Sequence, residues 1–125
     1  MKITIETIPH TQQRYPTVGD WFTDTDGTLV IRVSDLGDSR MEALVAIHEL
    51  VEVLLCQHKA IPQAEVDAFD IKFEATRMPG NTDEPGDDPQ APYKRQHCLA
   101  TGIERTMASA LDVDWSEYEG KLEAL

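Results

Sequence analysis

His48, Glu49 and Glu52 lie within the otherwise apolar run AIHELVEVLLC, Ala46–Cys56. On a helix the i, i+4 pair His48 and Glu52 falls within about 40° of one another, with Cys56, Glu49 and Glu42 following within about 120°. The remaining arc, roughly 200°, is apolar throughout and carries Ala43, Leu44, Ala46, Ile47, Leu50, Val51, Val53, Leu54 and Leu55. A helix of that composition is expected to be buried on most sides, so its polar stripe must face a cleft or an interior site. An unpaired buried carboxylate costs several kcal/mol, and a divalent cation is the largest compensating charge a protein can recruit. His48 and Glu52 have the spacing of two ligands on one side of a single ion. Glu49 sits off that line, where a general base for an activated water belongs.

The string Leu44–Leu55, with His48-Glu49-Leu-Val-Glu52 at its centre, resembles the active helix of the zincin metallopeptidases, whose motif is HExxH among apolar residues. The resemblance implies a zinc site in which His48 is a ligand, Glu49 the base and Glu52 the second ligand, carried by a small zincin-like core with a preceding hairpin and a following helix. The chain departs from the family in having Glu where the second His stands, an HExxE variant. The resemblance is tight over about a dozen residues and loose over the rest. The chain also resembles small proteins of tailed bacteriophages that carry HELVE and a GDDPxAPY-type loop, which implies a protein acting in the cytoplasm of a bacterial host.

A zinc site needs a third protein ligand. His10 lies in an early loop beside Pro9, and His58 closes the central helix on its far side, where a cation favours the helix C-terminus. His97 is the better candidate. In a helix from Tyr93 to Leu111 the apolar face is Leu99, Ala100, Ile103, Met107, Ala110 and Leu111, and His97 and Glu104 border it two turns apart. Packing that face on the central helix brings His97 or Glu104 to the polar stripe. Zincins of the gluzincin type likewise draw a ligand from a downstream helix. Asp70, bordering the Val66, Phe69 and Phe73 face, is placed to orient a ligand histidine. Cys56 is an alternative ligand, or a small buried hydrophobe.

The elements that must position these groups follow from pattern and punctuation. KITIETI alternates as a strand. Asp26-Gly27 marks a hairpin between Trp21–Thr23 and Thr28–Val33, and Asp24-Thr25-Asp26-Gly27 lacks the later Glu of an EF-hand, so it is a turn rather than a calcium loop. Asp38 or Ser39 caps a helix over about 41–58. Ile61-Pro62 opens a second, with Pro at the first position. Residues 77–92, RMPGNTDEPGDDPQAP, are too rich in Pro, Gly and acids to build a core, so they form a long loop, of which Gly80–Pro92 would wall the cleft of a hydrolase. Asp114 caps a last helix, Trp115–Leu122. The fold class is α+β, a small antiparallel sheet packed on three to four helices, in one domain with a β-rich part, 1–35, and a helical part, 38–125.

Composition bounds the partners. With 125 residues the chain suits one domain. Its net charge of -12 repels phosphate backbones, so duplex nucleic acid is not an expected ligand. The start of the chain reads as a strand rather than a signal peptide, and no apolar run reaches the roughly 18 residues of a spanning helix. Cys56 and Cys98 have no disulfide or metal-knuckle spacing, which fits a reducing cytoplasm.

Three functions compete. The first is a zinc-dependent hydrolase with His48, Glu52 and His97 on the metal and Glu49 as base. The second is a magnesium-dependent nucleotide pyrophosphatase. The acid pairs Glu49/Glu52 and Asp67/Asp70, each i, i+3, are similar to those of all-α pyrophosphatases of the MazG type, and magnesium prefers such oxygen ligands. The third is a non-catalytic phage protein that binds a host factor through its acidic surface.

Overall fold

The structure is a computed structural model that describes residues 1–125. Three strands, β1 (Ile3–Ile8), β2 (Gly19–Thr23) and β3 (Leu29–Ser34), precede four helices, α1 (Ser39–His58), α2 (Gln63–Ala75), α3 (Lys94–Ala110) and α4 (Trp115–Glu123). The α+β class expected from the pattern is the one observed. β2 and β3 form the hairpin, with Trp21 opposite Ile31, and Gly27 supplies the positive φ, 81°, that its turn requires. β1 differs from the expectation. It adds to β3 in parallel, Ile5 opposite Ile31, so the sheet order is β1-β3-β2 and the sheet is mixed. The long connection from residue 9 to residue 18 makes this pairing available, whereas a two-residue turn would have forced the antiparallel one.

β3 is the central strand and is buried along nearly its whole length, Ile31 and Val33 almost completely. Its Leu29, Ile31 and Val33 meet Met41, Leu44, Val45 and Val53 of α1 in a single core that also takes in Trp21 and Tyr118. On the other face of the sheet Phe22 is flanked by two guanidinium groups, Arg14 at 4.8 Å and Arg32 at 5.0 Å from the ring centre.

α1 starts where Asp38 accepts hydrogen bonds from the Arg40 and Met41 backbone N–H groups. It packs against β2, β3 and α3, which places its polar stripe between the sheet and α3. The expectation that its whole apolar arc is covered fails on the far side, where Leu54 is exposed and Ile47, Val51 and Leu55 are half-buried. A chain of this length with three strands has no further layer to cover them. α3 turns further from its expected orientation. Leu99 and Ile103 are 47 % and 46 % exposed, and the face that packs on α1 is Gln96, His97, Ala100, Glu104 and Ala108. The polar residues expected at the border of the interface are at its centre. No helix is long and apolar enough to cross a membrane.

Candidate metal centre

His48 and Glu52 are on adjacent turns of α1 and are both buried, at 7 % and 5 % exposure, and His97 of α3 faces them at 4 %. Three atoms converge. His48 Nε2 is 3.2 Å from Glu52 Oε2, His97 Nδ1 is 3.1 Å from the same oxygen, and the two ring nitrogens are 3.2 Å apart. Ligand atoms 2.0–2.1 Å from a tetrahedral zinc stand about 3.3 Å from each other, so this near-equilateral triangle has the size of one face of a zinc coordination sphere. All three residues can give one ligand atom each to a common ion.

Two of the three arms, Glu52 and His48, are held from behind by hydrogen bonds. The other oxygen of Glu52 accepts from the Trp21 indole N–H at 3.1 Å. His48 Nδ1 donates to Glu104 Oε2 at 2.8 Å, and the second oxygen of Glu104 accepts from the fully buried Tyr118 hydroxyl. This is the arrangement in which a carboxylate fixes the tautomer and ring plane of a ligating histidine. Trp21 of β2, Glu104 of α3 and, through Glu104, Tyr118 of α4 thus set the positions of Glu52 and His48 on α1.

The electrostatics show how strongly the three groups are paired with one another. Burial works against a charged His48, but its bonds to Glu104 and Glu52 outweigh that and push its pKa up to about 11. His97 goes up to about 10 in the same way, through Glu52 and Glu84 against burial. Burial raises the Glu52 carboxyl, but the two histidines more than reverse it and hold it down to about 2. Without a metal, two protonated rings then point N–H groups at one oxygen and stand 3.2 Å apart, nitrogen to nitrogen.

Glu49 lies beside this cluster but outside it. Burial first, and the neighbouring Glu52 second, raise its pKa well above the usual carboxylate range. No hydrogen bond within the protein engages its carboxylate. The backbone of β2 passes so close that a Cβ on Gly19 would collide with Glu49 Oε1, so the strand leaves room for this side chain only by having glycine there. Glu49, His48, Glu52 and His97 line one open cleft of about 640 Å³. Its walls include residues 81–85 and Asp87 of the long loop, Tyr15 and Asp20. The loop therefore borders the cleft, as its composition led us to expect.

The other candidates fall elsewhere. Glu104 touches His48 from behind rather than joining the triangle. Asp70 does not reach either histidine. Its two oxygens accept from the Tyr93 hydroxyl at 2.5 Å and the Tyr15 hydroxyl at 3.1 Å, and burial pushes its pKa up to about 7 despite those bonds. Cys56 is wholly buried in the hydrophobic core, where burial pushes its thiol up to about 12, as suits an inert packing residue. His10 bonds the Ser34 hydroxyl, and His58 is exposed at the end of α1. The four acids of the magnesium reading, Glu49, Glu52, Asp67 and Asp70, all line the cleft, but Asp67 and Asp70 are engaged by other side chains. Asp67 pairs with Arg14, which also forks onto Asp20, and Asp70 is engaged by the two tyrosines.

Trp21, Tyr118 and Glu84 are site residues that spacing did not point to. No protein-family model matches the chain, and comparison with curated proteins and with solved structures returns no match.

Proposed function

We propose that His48 Nε2, Glu52 Oε2 and His97 Nδ1 hold one divalent cation, zinc by donor set and spacing, and that the protein is a metal-dependent hydrolase acting in the cleft above it. The observation that carries this reading is the triangle of 3.1, 3.2 and 3.2 Å between three buried donor atoms from two helices. Two imidazoles and one carboxylate form the donor set of several catalytic zinc sites, and three protein ligands leave a position open toward the cleft.

A cation there supplies a Lewis acid and acidifies a water molecule. The protein's own part is to position and to move a proton. Trp21 and Glu104 fix the directions of Glu52 and His48. Glu49, which no hydrogen bond within the protein engages, accepts a proton from the attacking water and returns it to the leaving group. Gly19 keeps the strand backbone from displacing it.

The test is metal analysis of untagged protein together with two variants. Zinc in the purified protein, lost in His48→Ala and kept in Glu49→Gln, supports the reading. Loss of metal in Glu49→Gln would make Glu49 a ligand instead of a base. A protein that takes up no metal and is unchanged by His48→Ala contradicts the reading.

A further inference from the structure

The two metal-facing histidines are treated differently on their other nitrogens. His48 Nδ1 makes an aligned hydrogen bond with Glu104. His97 Nε2 makes no aligned hydrogen bond, although His97 is only 4 % exposed. Two carboxylate oxygens nevertheless crowd it, Glu84 Oε2 at 3.0 Å and Asp87 Oδ1 at 3.4 Å. Glu84, Asp87 and His97 each have a donor atom close enough to the others to reach one common ion. Donor atoms about 2.1 Å from one ion are separated by about 3.0 Å at a right angle and about 3.4 Å at the tetrahedral angle. Those are the two separations found around His97 Nε2.

The sequence builds this arrangement with a short turn. Pro85–Asp87 forms a single 3-10 turn, closed by the Asp87 N–H on the Glu84 carbonyl at 3.0 Å, and Lys94 Nζ donates to the Asp87 carbonyl at 2.6 Å. Gly86 lies directly against the ring, where any Cβ would collide with His97. The glycine thus lets the backbone descend onto the imidazole, which brings the side chains on either side of it, Glu84 and Asp87, to the same nitrogen. Both carboxylates are about half exposed, so water has access to complete a coordination sphere.

We infer that Glu84, Asp87 and His97 Nε2 form a second divalent-cation site, so that His97 offers one ring nitrogen to each of two ions. The inner ion is the one proposed above, and the inference rests on that reading only for the inner ion. The outer site is oxygen-rich and suits zinc or manganese. When both sites fill, the His97 ring bridges the ions as an imidazolate, and its Nε2 proton passes to solvent. The long loop is then a ligand-bearing element whose seating depends on the outer ion.

The experiment is titration of the full chain, stripped with a chelator, with zinc alone, counting bound ions per chain by elemental analysis and calorimetry. The expected result is two equivalents. Glu84→Gln and Asp87→Asn, both at half-exposed positions that leave the core intact, each weaken the second equivalent by about tenfold or more and leave the first in place. His48→Ala removes the inner equivalent and keeps the outer one. A single equivalent that survives both Glu84→Gln and Asp87→Asn overturns the second site and leaves the inner one standing. A single equivalent abolished by those two substitutions but kept in His48→Ala upholds the outer site and overturns the inner one. No binding overturns both.

Discussion

His48 Nδ1 and Glu104 Oε2 stand 2.8 Å apart across the α1–α3 interface, 56 positions apart in the chain. That bond aims the opposite nitrogen of the ring at Glu52 and His97. It also explains why α3 presents a histidine and a glutamate, rather than its leucine and isoleucine, to α1. The interface is built around a polar centre in which His48, Glu52, Glu104 and the Nδ1 face of His97 are joined by hydrogen bonds.

Removing the support should weaken metal binding without removing a ligand. Glu104→Gln keeps an acceptor for His48 Nδ1 but removes its charge, and is expected to cost about 10–100-fold in metal affinity. Tyr118→Phe leaves Glu104 Oε1 buried without its donor and should cost about 1–3 kcal/mol of stability. Competition titration with a chromogenic chelator reads the first effect, and chemical denaturation the second.

Metal removal should destabilise the chain strongly. A ligand at a thousand times its Kd stabilises the folded state by about 4 kcal/mol, which for a domain of this size corresponds to a Tm shift of about 10–20 °C. Scanning calorimetry with and without chelator measures it. The shift should vanish in His97→Ala.

Metal uptake should depend steeply on pH. The metal-free His48 and His97 have pKa values pushed up to about 11 and about 10, so at neutral pH each must lose a proton to become a ligand. Apparent affinity should therefore rise about a hundredfold per pH unit between pH 6 and 8. Without metal the sign is opposite. A raised histidine pKa stabilises the fold fully below the unfolded value near 6.5, and that contribution is lost as pH climbs through about 10 to 11. Calorimetry in buffers of different ionisation enthalpy counts the protons released.

Asp70 should impose a separate pH dependence. Its folded pKa is raised to about 7, against about 3.9 for an unperturbed Asp. The folded state then binds the proton more tightly than the unfolded state, so stability is greatest below about pH 4 for this group and declines as pH rises through 7. Asp70→Asn should flatten stability between pH 5 and 8 without altering metal content. An unchanged slope in denaturation midpoints across that range would count against it.

What could be read from the chain depended on how far each relationship reached. His48 and Glu52 share a face because a helix puts i and i+4 together, and no tertiary knowledge is needed for that. His97 was reachable because it and Glu104 lie on one face of α3. The face that packs was misjudged, since counting apolar residues favours Leu99 and Ile103 and cannot register that a polar cluster buries its own side of the helix. Trp21 and Tyr118 reach the site from β2 and α4, and nothing in local spacing marks them. The parallel addition of β1 to β3 was likewise invisible, because alternation identifies a strand but not the direction of its partner. Glu84 and Asp87 were legible only as part of an acidic loop. Their meeting at one nitrogen depends on Gly86 lying against His97.

The most direct test of the account is an anomalous difference map from crystals of the zinc-loaded protein. The account predicts a peak about 2.0–2.1 Å from each of His48 Nε2, Glu52 Oε2 and His97 Nδ1. Crystals grown with excess zinc that show no peak within coordination distance of those three atoms would contradict it.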